Sequence, residues 1–227
     1  MAAKRTETET RSRTPLSRER ALSAAVAVAD AEGLDALTMR RLAQELGVEA
    51  MSLYYHVANK EDILDGMVEM VFSEIELPPD ATDWRTAMLQ RAGSLRAALT
   101  RHPWAITIME SRTSPGPATM RHHDWVIGCF RRAGFSVANA AHGFSLIDSY
   151  IYGFVMQEVN LPFTESAGPE ELEALVAAIL PNLSPDEYPH FVELTVDHVL
   201  QPGYRYGDEF DFGVRLILDG LERAADT

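Results

Sequence analysis

A pair of short helical segments separated by one glycine is the feature of this sequence that most restricts its fold. From Thr38 to Gly47, apolar side chains recur at the three- and four-residue spacing of a helix, and the two bounding residues are typical of an N-cap and of a position just past a helix end. In the next segment, Ala50 to Val57, Leu53 and Val57 lie four residues apart and point to one side. The spacing predicts two short helices joined by a tight turn.

The outer face of the second short helix indicates how the pair is used. With Leu53 and Val57 inward, the residues left outside are Ala50, Met51, Ser52, Tyr54, Tyr55 and His56. Aromatic and hydroxyl groups of this kind reach phosphates and base edges, and a single helix fits the major groove of DNA. The pattern favours a DNA-binding helix-turn-helix, with a purely structural helical hairpin as the alternative.

The rest of the chain has helical periodicity as well, interrupted at proline and glycine, and none of it reads as a strand. Helices are predicted over residues 17–32, from Asn59 to the Pro78-Pro79 pair, over residues 83–101, 103–110, 118–133, 137–158 and 169–180, from Ser184-Pro185, and over residues 210–225. The sequence therefore predicts an all-α protein, with an N-terminal three-helix helix-turn-helix domain before a larger helical domain.

Acidic charge is unevenly distributed along the 227 residues, whose net charge is −14. Through Gly66 there are nine Lys and Arg against eleven Asp and Glu residues, a net charge of −2, so the remainder carries −12. A nucleic-acid partner of the first part is therefore not excluded. We expect a flexible basic arm over residues 1–15, a helix-turn-helix domain over 16–66 and a larger domain over 67–227. The arm is either a solvated tail or a contact to DNA backbone.

Signals for a membrane or for export are not recognisable in the sequence. No apolar run approaches the roughly 18 residues of a membrane span, and the first residues have no apolar stretch like that of a signal peptide. A single cysteine, Cys129, cannot form an internal disulfide, which agrees with a reducing compartment. We therefore expect a cytoplasmic protein with no membrane partner.

Two runs in the N-terminal part, LTMRRLAQELGV from Leu37 and SLYYHVANKEDIL from Ser52, resemble the signature of the TetR family. In the C-terminal part, GFS at residues 134–136 and FDFG at 210–213 resemble the ligand-binding and dimerisation domain of its tetracycline-repressor branch. The resemblance implies a transcriptional regulator, most simply a homodimeric repressor that a small-molecule effector releases from an inverted-repeat operator DNA. The larger domain then serves ligand binding and dimerisation.

The resemblance also implies individual DNA contacts. Arg40 corresponds to a position that reaches a phosphate or a guanine, and Lys60 corresponds to a phosphate contact at the start of the fourth helix. The recognition-helix positions are those of Ser52, Tyr54, Tyr55 and His56. Ala50 and Met51 stand where the tetracycline repressor has a glutamine and a proline, and alanine cannot make the two hydrogen bonds of glutamine, so we expect a different operator base there.

An effector pocket is implied among the helices of the second domain. The residues expected to line it are Trp104, Ile108, Met109, Arg112, Trp125, Phe144, Tyr150, Met156 and Gln157. Most of them are apolar or aromatic, as in many small-ligand sites, and a place in the core is the alternative for each. Where the tetracycline repressor holds a magnesium-bound drug, this chain has Met109, Ser149 and Gln157. These are poor magnesium ligands, so we expect neither a metal nor a cofactor.

A homodimer is expected because residues 137–158 and 210–225 are apolar around more of their circumference than one core needs. The predicted interface is a two-fold four-helix arrangement in which the small Gly220 permits close approach. Its expected residues are Phe144, Ile147, Ile151, Leu216, Ile217, Gly220 and Leu221.

Two other functions stay open at this point. An enzyme is disfavoured because the sequence has no phosphate-cradling glycine loop, nucleophile elbow or paired Cys or His spacing. The adjacent His122 and His123 point to different sides of a helix and do not easily share a metal ion. An activator, or an architectural DNA-binding protein without an effector, has the same sequence features as a repressor.

Overall fold

The computed structural model describes residues 15–112, 114–161, 174, 177, 184–201 and 203–225. The predicted basic arm, apart from Pro15, and the predicted helix 169–180, apart from Ala174 and Ala177, lie outside these residues. Every regular element among the described residues is helical, which confirms the predicted all-α class. The chain divides into two compact units between Met67 and Val68.

The described part of the first unit consists of short helices around a small apolar core. They are α1 (Arg18–Glu32), α2 (Met39–Leu46), α3 (Ala50–Leu53) and the first part of α4 (Lys60–Glu74), with a 3₁₀ turn, Leu34–Ala36, after α1. Helix α1 packs on α2, and α2 packs on α3. Leu42 and Leu53 are fully buried in this core.

Local capping explains where α2 begins and ends. The Thr38 hydroxyl accepts a hydrogen bond from the Arg41 N–H at 3.0 Å, as an N-cap side chain does. Gly47 has the left-handed conformation, with φ 64° and ψ 38°, which lets the Val48 N–H reach the Ala43 carbonyl at 3.0 Å. The start and the stop predicted for α2 are therefore confirmed.

Helix α3 is shorter than predicted, because it ends at Leu53 instead of Val57. The N–H groups of His56 and Val57 both donate to the Leu53 carbonyl, at 2.8 and 3.0 Å, so the chain turns there. Val57 is nevertheless buried, at 1% exposure. Burial of Leu53 and Val57 holds the segment in place even though only its first part is helical.

The second unit begins with the end of α4. Its other described helices are α5 (Trp84–Arg101), α6 (Trp104–Met109), α7 (Pro117–Arg132), α8 (Val137–Glu158), α9 (Pro189–Leu194), which continues into a π-helical turn (Thr195–Val199), and α10 (Tyr206–Ala225). Helix α8 is central, because α5, α7 and α10 all pack against it. Gly143 allows close packing, since a Cβ there would lie 2.9 Å from Phe130 Cζ. Within the described ranges, we find no helix with the length and apolarity to cross a membrane.

Two predicted helix starts near the C-terminal end are wrong. Ser184-Pro185 forms a turn, in which the Ser184 carbonyl accepts the N–H groups of Glu187 and Tyr188, and the helix begins only at Pro189. Helix α10 begins at Tyr206, four residues before the predicted Phe210. Tertiary packing explains this earlier start, because the Tyr206 ring stacks on Phe154 at 4.8 Å between centroids.

Candidate functional site

Large apolar and aromatic side chains face the solvent on α3 and the turn after it. Met51, Tyr54 and Tyr55 are 73%, 47% and 88% exposed, whereas Leu53 is fully buried. The other predicted contact residues of this segment, Ala50, Ser52 and His56, are half-buried. A cluster of exposed large apolar side chains is typical of a binding surface. We call Met51, Tyr54 and Tyr55 the α3 face.

The adjacent arginines at the start of α2 differ in their partners. The Arg41 guanidinium forms salt bridges with Glu32 at 2.5 Å and with Glu45 at 2.9 Å, and these hydrogen bonds raise the pKa of Arg41. Arg40 is exposed and forms no salt bridge within the described ranges. Arg41 therefore joins α2 to α1 through its salt bridge with Glu32. The N–H groups of the Arg40 guanidinium take part in no salt bridge of the described residues.

Asp62 organises the start of α4, where Lys60 stands. Its carboxylate accepts two N–H groups of the Arg18 guanidinium, at 2.7 and 2.8 Å, and the Ala58 N–H at 2.8 Å. The hydrogen bond to Arg18 lowers the pKa of Asp62. The Asn59 side chain accepts the Asp62 N–H at 2.9 Å, so it acts as the N-cap. Lys60 is exposed beside this anchored turn.

The residues predicted to line an effector pocket occupy several places in the second unit. Trp104, Ile108 and Met109 are buried on α6, at 8%, 5% and 8% exposure. Arg112, after the end of α6, is half-buried. Phe144 is half-buried on α8, and its ring lies edge-on to the His123 ring at 5.2 Å between centroids. The contact between Phe144 and His123 joins α8 to α7.

Three predicted pocket residues on α8 are Tyr150, Met156 and Gln157. The Tyr150 hydroxyl donates to the Glu209 carbonyl at 3.0 Å, and the Gln157 side-chain oxygen accepts the Tyr206 hydroxyl at 3.0 Å. Met156 is 54% exposed. The polar atoms of Tyr150 and Gln157 thus join α8 to α10, and the place of these three residues in an effector pocket stays a prediction.

Trp125 is half-buried on α7, and its indole N–H already has an acceptor. It donates to the Pro78 carbonyl at 3.0 Å. The indole ring borders a surface depression together with Trp84 and Arg132. A ligand at this position would therefore meet the ring of Trp125 and not its polar atom.

A buried polar cluster in the second unit escaped the sequence predictions. Arg91 on α5 is fully buried, and its Nη1 donates to Asp148 Oδ1 on α8 at 2.6 Å. Its Nε donates to His122 Nε2 on α7 at 3.0 Å. His122 and Asp148 are themselves buried, at 1% and 6% exposure. These side chains, which we call the Arg91 cluster, join three helices through their polar atoms.

Burial sets the protonation of the Arg91 cluster. Burial, followed by the charge of Arg91, lowers the pKa of His122 to about 2, so this imidazole is neutral near pH 7. Tyr152 stands one helical turn after Asp148, and burial raises the pKa of its phenol, which is hydrogen-bonded to Glu110. The guanidinium of Arg91 and the carboxylate of Asp148 are therefore the opposed charges of the cluster.

The sequence does contain a signal for this cluster, namely a charged residue inside an apolar helical stripe. Arg91 stands three residues after Met88 and four before Leu95, and both neighbours are fully buried. Asp148 likewise stands three residues before the fully buried Ile151. A charge at a position that the helical period assigns to the core needs a buried partner, and the sequence alone does not say which residue that partner is.

The predicted dimer interface needs revision, because three of its seven residues are core residues of the protomer. Leu216 is 57% exposed, and Ile217 and Gly220 are half-buried. Ile147, Ile151 and Leu221 are buried inside the protomer, at 1%, 0% and 5% exposure. A side chain buried in its own unit has no surface left for a partner copy, so we remove these three from the interface.

The residues at the positions implied for a magnesium-bound ligand differ in their surroundings. Met109 is buried, whereas Ser149 and Gln157 are exposed. In the part of the chain that the structure describes, no three side chains of His, Cys, Asp or Glu are grouped so that they could hold a metal ion.

A helix-turn-helix with an exposed aromatic face, followed by a second helical unit, is typical of one-chain DNA-binding regulators. Residues 21–67 match the family model described as bacterial regulatory proteins, tetR family, and residues 77–225 match the one described as Tetracyclin repressor-like, C-terminal domain. The chain belongs to the TetR family of transcriptional regulators, which is not a class of enzymes. The predicted family and fold are thereby confirmed.

Similar proteins come from several bacteria. The HTH-type transcriptional repressor DrrR1 of Streptomyces coeruleorubidus is 35% identical over 213 residues, which cover 91% of this chain and 77% of DrrR1. The tetracycline repressor protein class C of Escherichia coli is 28% identical over 92% of this chain and 91% of its own. The structure of Streptomyces coelicolor ActR in complex with actinorhodin is 29% identical, with a TM-score of 0.71 over 94% of this chain and 100% of that one.

Proposed function

We propose that this protein is a homodimeric repressor that binds an inverted-repeat operator and leaves it when a small apolar or aromatic effector binds, without magnesium. Residues 16–66 contact DNA, and residues 67–227 bind the effector and the partner copy. The observation that carries the proposal is the α3 face, together with exposed Arg40 and Lys60. DrrR1 is named a repressor and ActR is complexed with actinorhodin, which supports both halves of the proposal.

Binding to an operator is the first expected result. Selection from random duplexes should yield an inverted repeat whose half-site centres lie about one helical turn apart or slightly more, as expected for two recognition helices related by two-fold symmetry. Affinity should fall steeply as salt rises, because phosphate contacts release counterions. A mobility-shift titration against the selected and a scrambled duplex measures this. Equal affinity for both at moderate salt would refute sequence-specific binding.

Dimerisation is expected through α8 and α10. Leu146, Phe212 and Leu216 on these two packed helices are 53%, 67% and 57% exposed in one protomer. Gly220 adds open space, because a Cβ there would meet nothing within 4 Å. Exposed apolar groups of this size are stabilised by a second copy. Leu216→Asp should therefore give the mass of one chain by light scattering at micromolar concentration, where the native protein gives that of two.

A matched control for that variant is Met120→Asp, which places the same charge on a 55% exposed apolar residue of α7. It should leave the mass at two chains. A native protein with the mass of a single chain would contradict the proposed dimer.

Helix α4 offers a route from the effector to the DNA-binding unit. It runs from Lys60 in the first unit to Glu74 in the second. Within the second unit, the Glu69 carboxylate accepts the N–H groups of Ala118 and Thr119 at the start of α7, at 2.6 and 3.0 Å. The Phe72 ring lies 5.1 Å from the His122 ring. A ligand that moves α7 would therefore also displace α4.

Effector release should not require magnesium. A ligand that binds the DNA-incompetent state more tightly by about 3 kcal/mol would lower operator affinity about a hundredfold. A thermal-shift screen of apolar and aromatic compounds, followed by operator release with and without EDTA, measures this. Release should be the same in both conditions. Release that needed added magnesium would contradict the metal-free mechanism.

A further inference from the structure

One hydrogen-bonding group of Arg91 is not used within the part of the chain that the structure describes. Its Nε and Nη1 donate to His122 and Asp148. Its Nη2 is buried and has no hydrogen-bond acceptor among the residues that the structure describes. A guanidinium stays protonated in proteins, so this nitrogen always carries hydrogens to donate.

His122 has a second donor of the same cluster that lacks an acceptor among the described residues. Its Nε2 accepts from Arg91, and a neutral imidazole that accepts at one nitrogen carries its proton on the other. The proton of His122 is therefore on Nδ1. This atom too is buried without an acceptor in the described ranges. Leaving a buried donor unpaired is costly, so both atoms call for an oxygen acceptor that the described residues do not supply.

The charge of the cluster decides which oxygen suits it. Arg91 is already paired with Asp148, and His122 is neutral, so the cluster has no net charge. A carboxylate or phosphate would leave one or more uncompensated negative charges in a buried site, close to the Asp148 carboxylate. Desolvation disfavours that arrangement. A neutral acceptor, such as a carbonyl oxygen, satisfies the donors without adding charge.

Aromatic rings surround the cluster and indicate what carries the acceptor. The His122 ring lies 5.1 Å from Phe72 and 5.6 Å from His123, and His123 lies 5.2 Å from Phe144, all between centroids. Such rings favour flat, aromatic ligands, which stack on their faces or meet their edges. Phe144, on α8, was one of the residues predicted to line the pocket.

We infer that Arg91 and His122 form a polar anchor for a neutral carbonyl oxygen of an aromatic effector, whose rings pack against Phe72, His123 and Phe144. The inference rests on the proposed effector-controlled function and specifies the chemical class of ligand. It adds a hydrogen-bonding requirement to a pocket for which the sequence predicted mainly apolar contacts.

Three probes of similar shape test the anchor on the full-length protein. They are 9-fluorenone, which has the carbonyl, fluorene, which lacks it, and fluorene-9-carboxylate, which carries a negative charge. Dissociation constants come from calorimetric titration. 9-Fluorenone should bind at least about tenfold more tightly than fluorene, because the hydrocarbon leaves the buried donors unpaired. The carboxylate should bind more weakly than the ketone.

Two histidine variants locate the effect. His122→Met removes the ring N–H and puts no other donor in its place, so the preference for the ketone should shrink. His142→Met changes an exposed histidine of α8 and should keep the preference. Thermal unfolding checks that both variants fold, and the comparison of the three probes on the native protein remains decisive if His122→Met does not fold.

The outcomes separate this inference from the proposed function. Equal affinity for the ketone and the hydrocarbon would overturn the anchor. Operator release by either compound would still support the proposed function. Tightest binding of the carboxylate would overturn the neutral-acceptor assignment. Failure of all three probes to bind would also overturn the inference, and the operator selection described above would then decide separately whether the protein binds DNA.

Discussion

Replacing Asp148 with alanine is expected to lower the free energy of unfolding by about 3 to 5 kcal/mol, because the variant leaves the Arg91 guanidinium charged and buried without its counter-ion. The pair is inside the protein, with Arg91 fully buried and Asp148 at 6% exposure, and its Nη1–Oδ1 distance is 2.6 Å. Arginine cannot relieve the loss by giving up its proton. Urea unfolding at equal protomer concentration measures the change.

The control for this prediction is Asp211→Ala, which removes an exposed aspartate of α10 and should change stability by no more than about 0.5 kcal/mol. A double variant, Arg91→Met with Asp148→Leu, removes both charges while keeping similar volume and should recover most of the loss. If Asp148→Ala were as stable as Asp211→Ala, the buried ion pair would not exist in solution.

Arg40→Ala and Tyr54→Ala are each expected to weaken operator binding by about 1 to 3 kcal/mol, roughly ten- to a hundredfold. Arg40 forms no salt bridge among the described residues, and Tyr54 is 47% exposed on the α3 face, so neither change removes a core residue. The unfolding temperature of both variants should therefore equal that of the native protein. Mobility-shift titrations at two salt concentrations measure the loss and show whether Arg40 contacts a phosphate, which would reduce the salt slope by about one.

Arg41 and Arg121 supply the controls. Arg41→Ala makes the same change one residue along the chain, but that guanidinium is bound to Glu32 and Glu45, so we expect a smaller loss of operator affinity. Arg121→Ala removes an exposed arginine of the second unit and should leave affinity unchanged. Equal losses for Arg40→Ala and Arg121→Ala would show a general charge effect and would remove Arg40 from the interface.

Helix boundaries could be predicted well wherever a local signal sets them. Thr38 and Gly47 bound α2 because a hydroxyl cap and a left-handed glycine act within one turn of the chain. The start of α10 could not be predicted in this way. Tyr206 joins that helix because its ring stacks on Phe154, a residue more than fifty positions earlier in the sequence.

The candidate site residues show the same difference between what local signals predict and what tertiary contacts decide. The sequence identified the α3 face, since Leu53 and Val57 follow the helical period and leave their neighbours outside. The resemblance implied a DNA contact for Arg40 and not for Arg41, but it did not show that Arg41 is bound to Glu32 on another helix. The sequence also did not predict that the Tyr150 hydroxyl is bound to the backbone at the start of α10.

The sequence by itself determined that this protein is all-helical, that a helix-turn-helix stands at its N-terminal end and that it resembles the TetR family, because periodicity, caps and motif are local properties of the chain. Only the tertiary structure decided that Arg91, His122 and Asp148 form one buried cluster. These residues lie on three helices that are far apart in sequence. Their meeting depends on how those helices pack, and the period of a single helix carries no information about which other helix will face it.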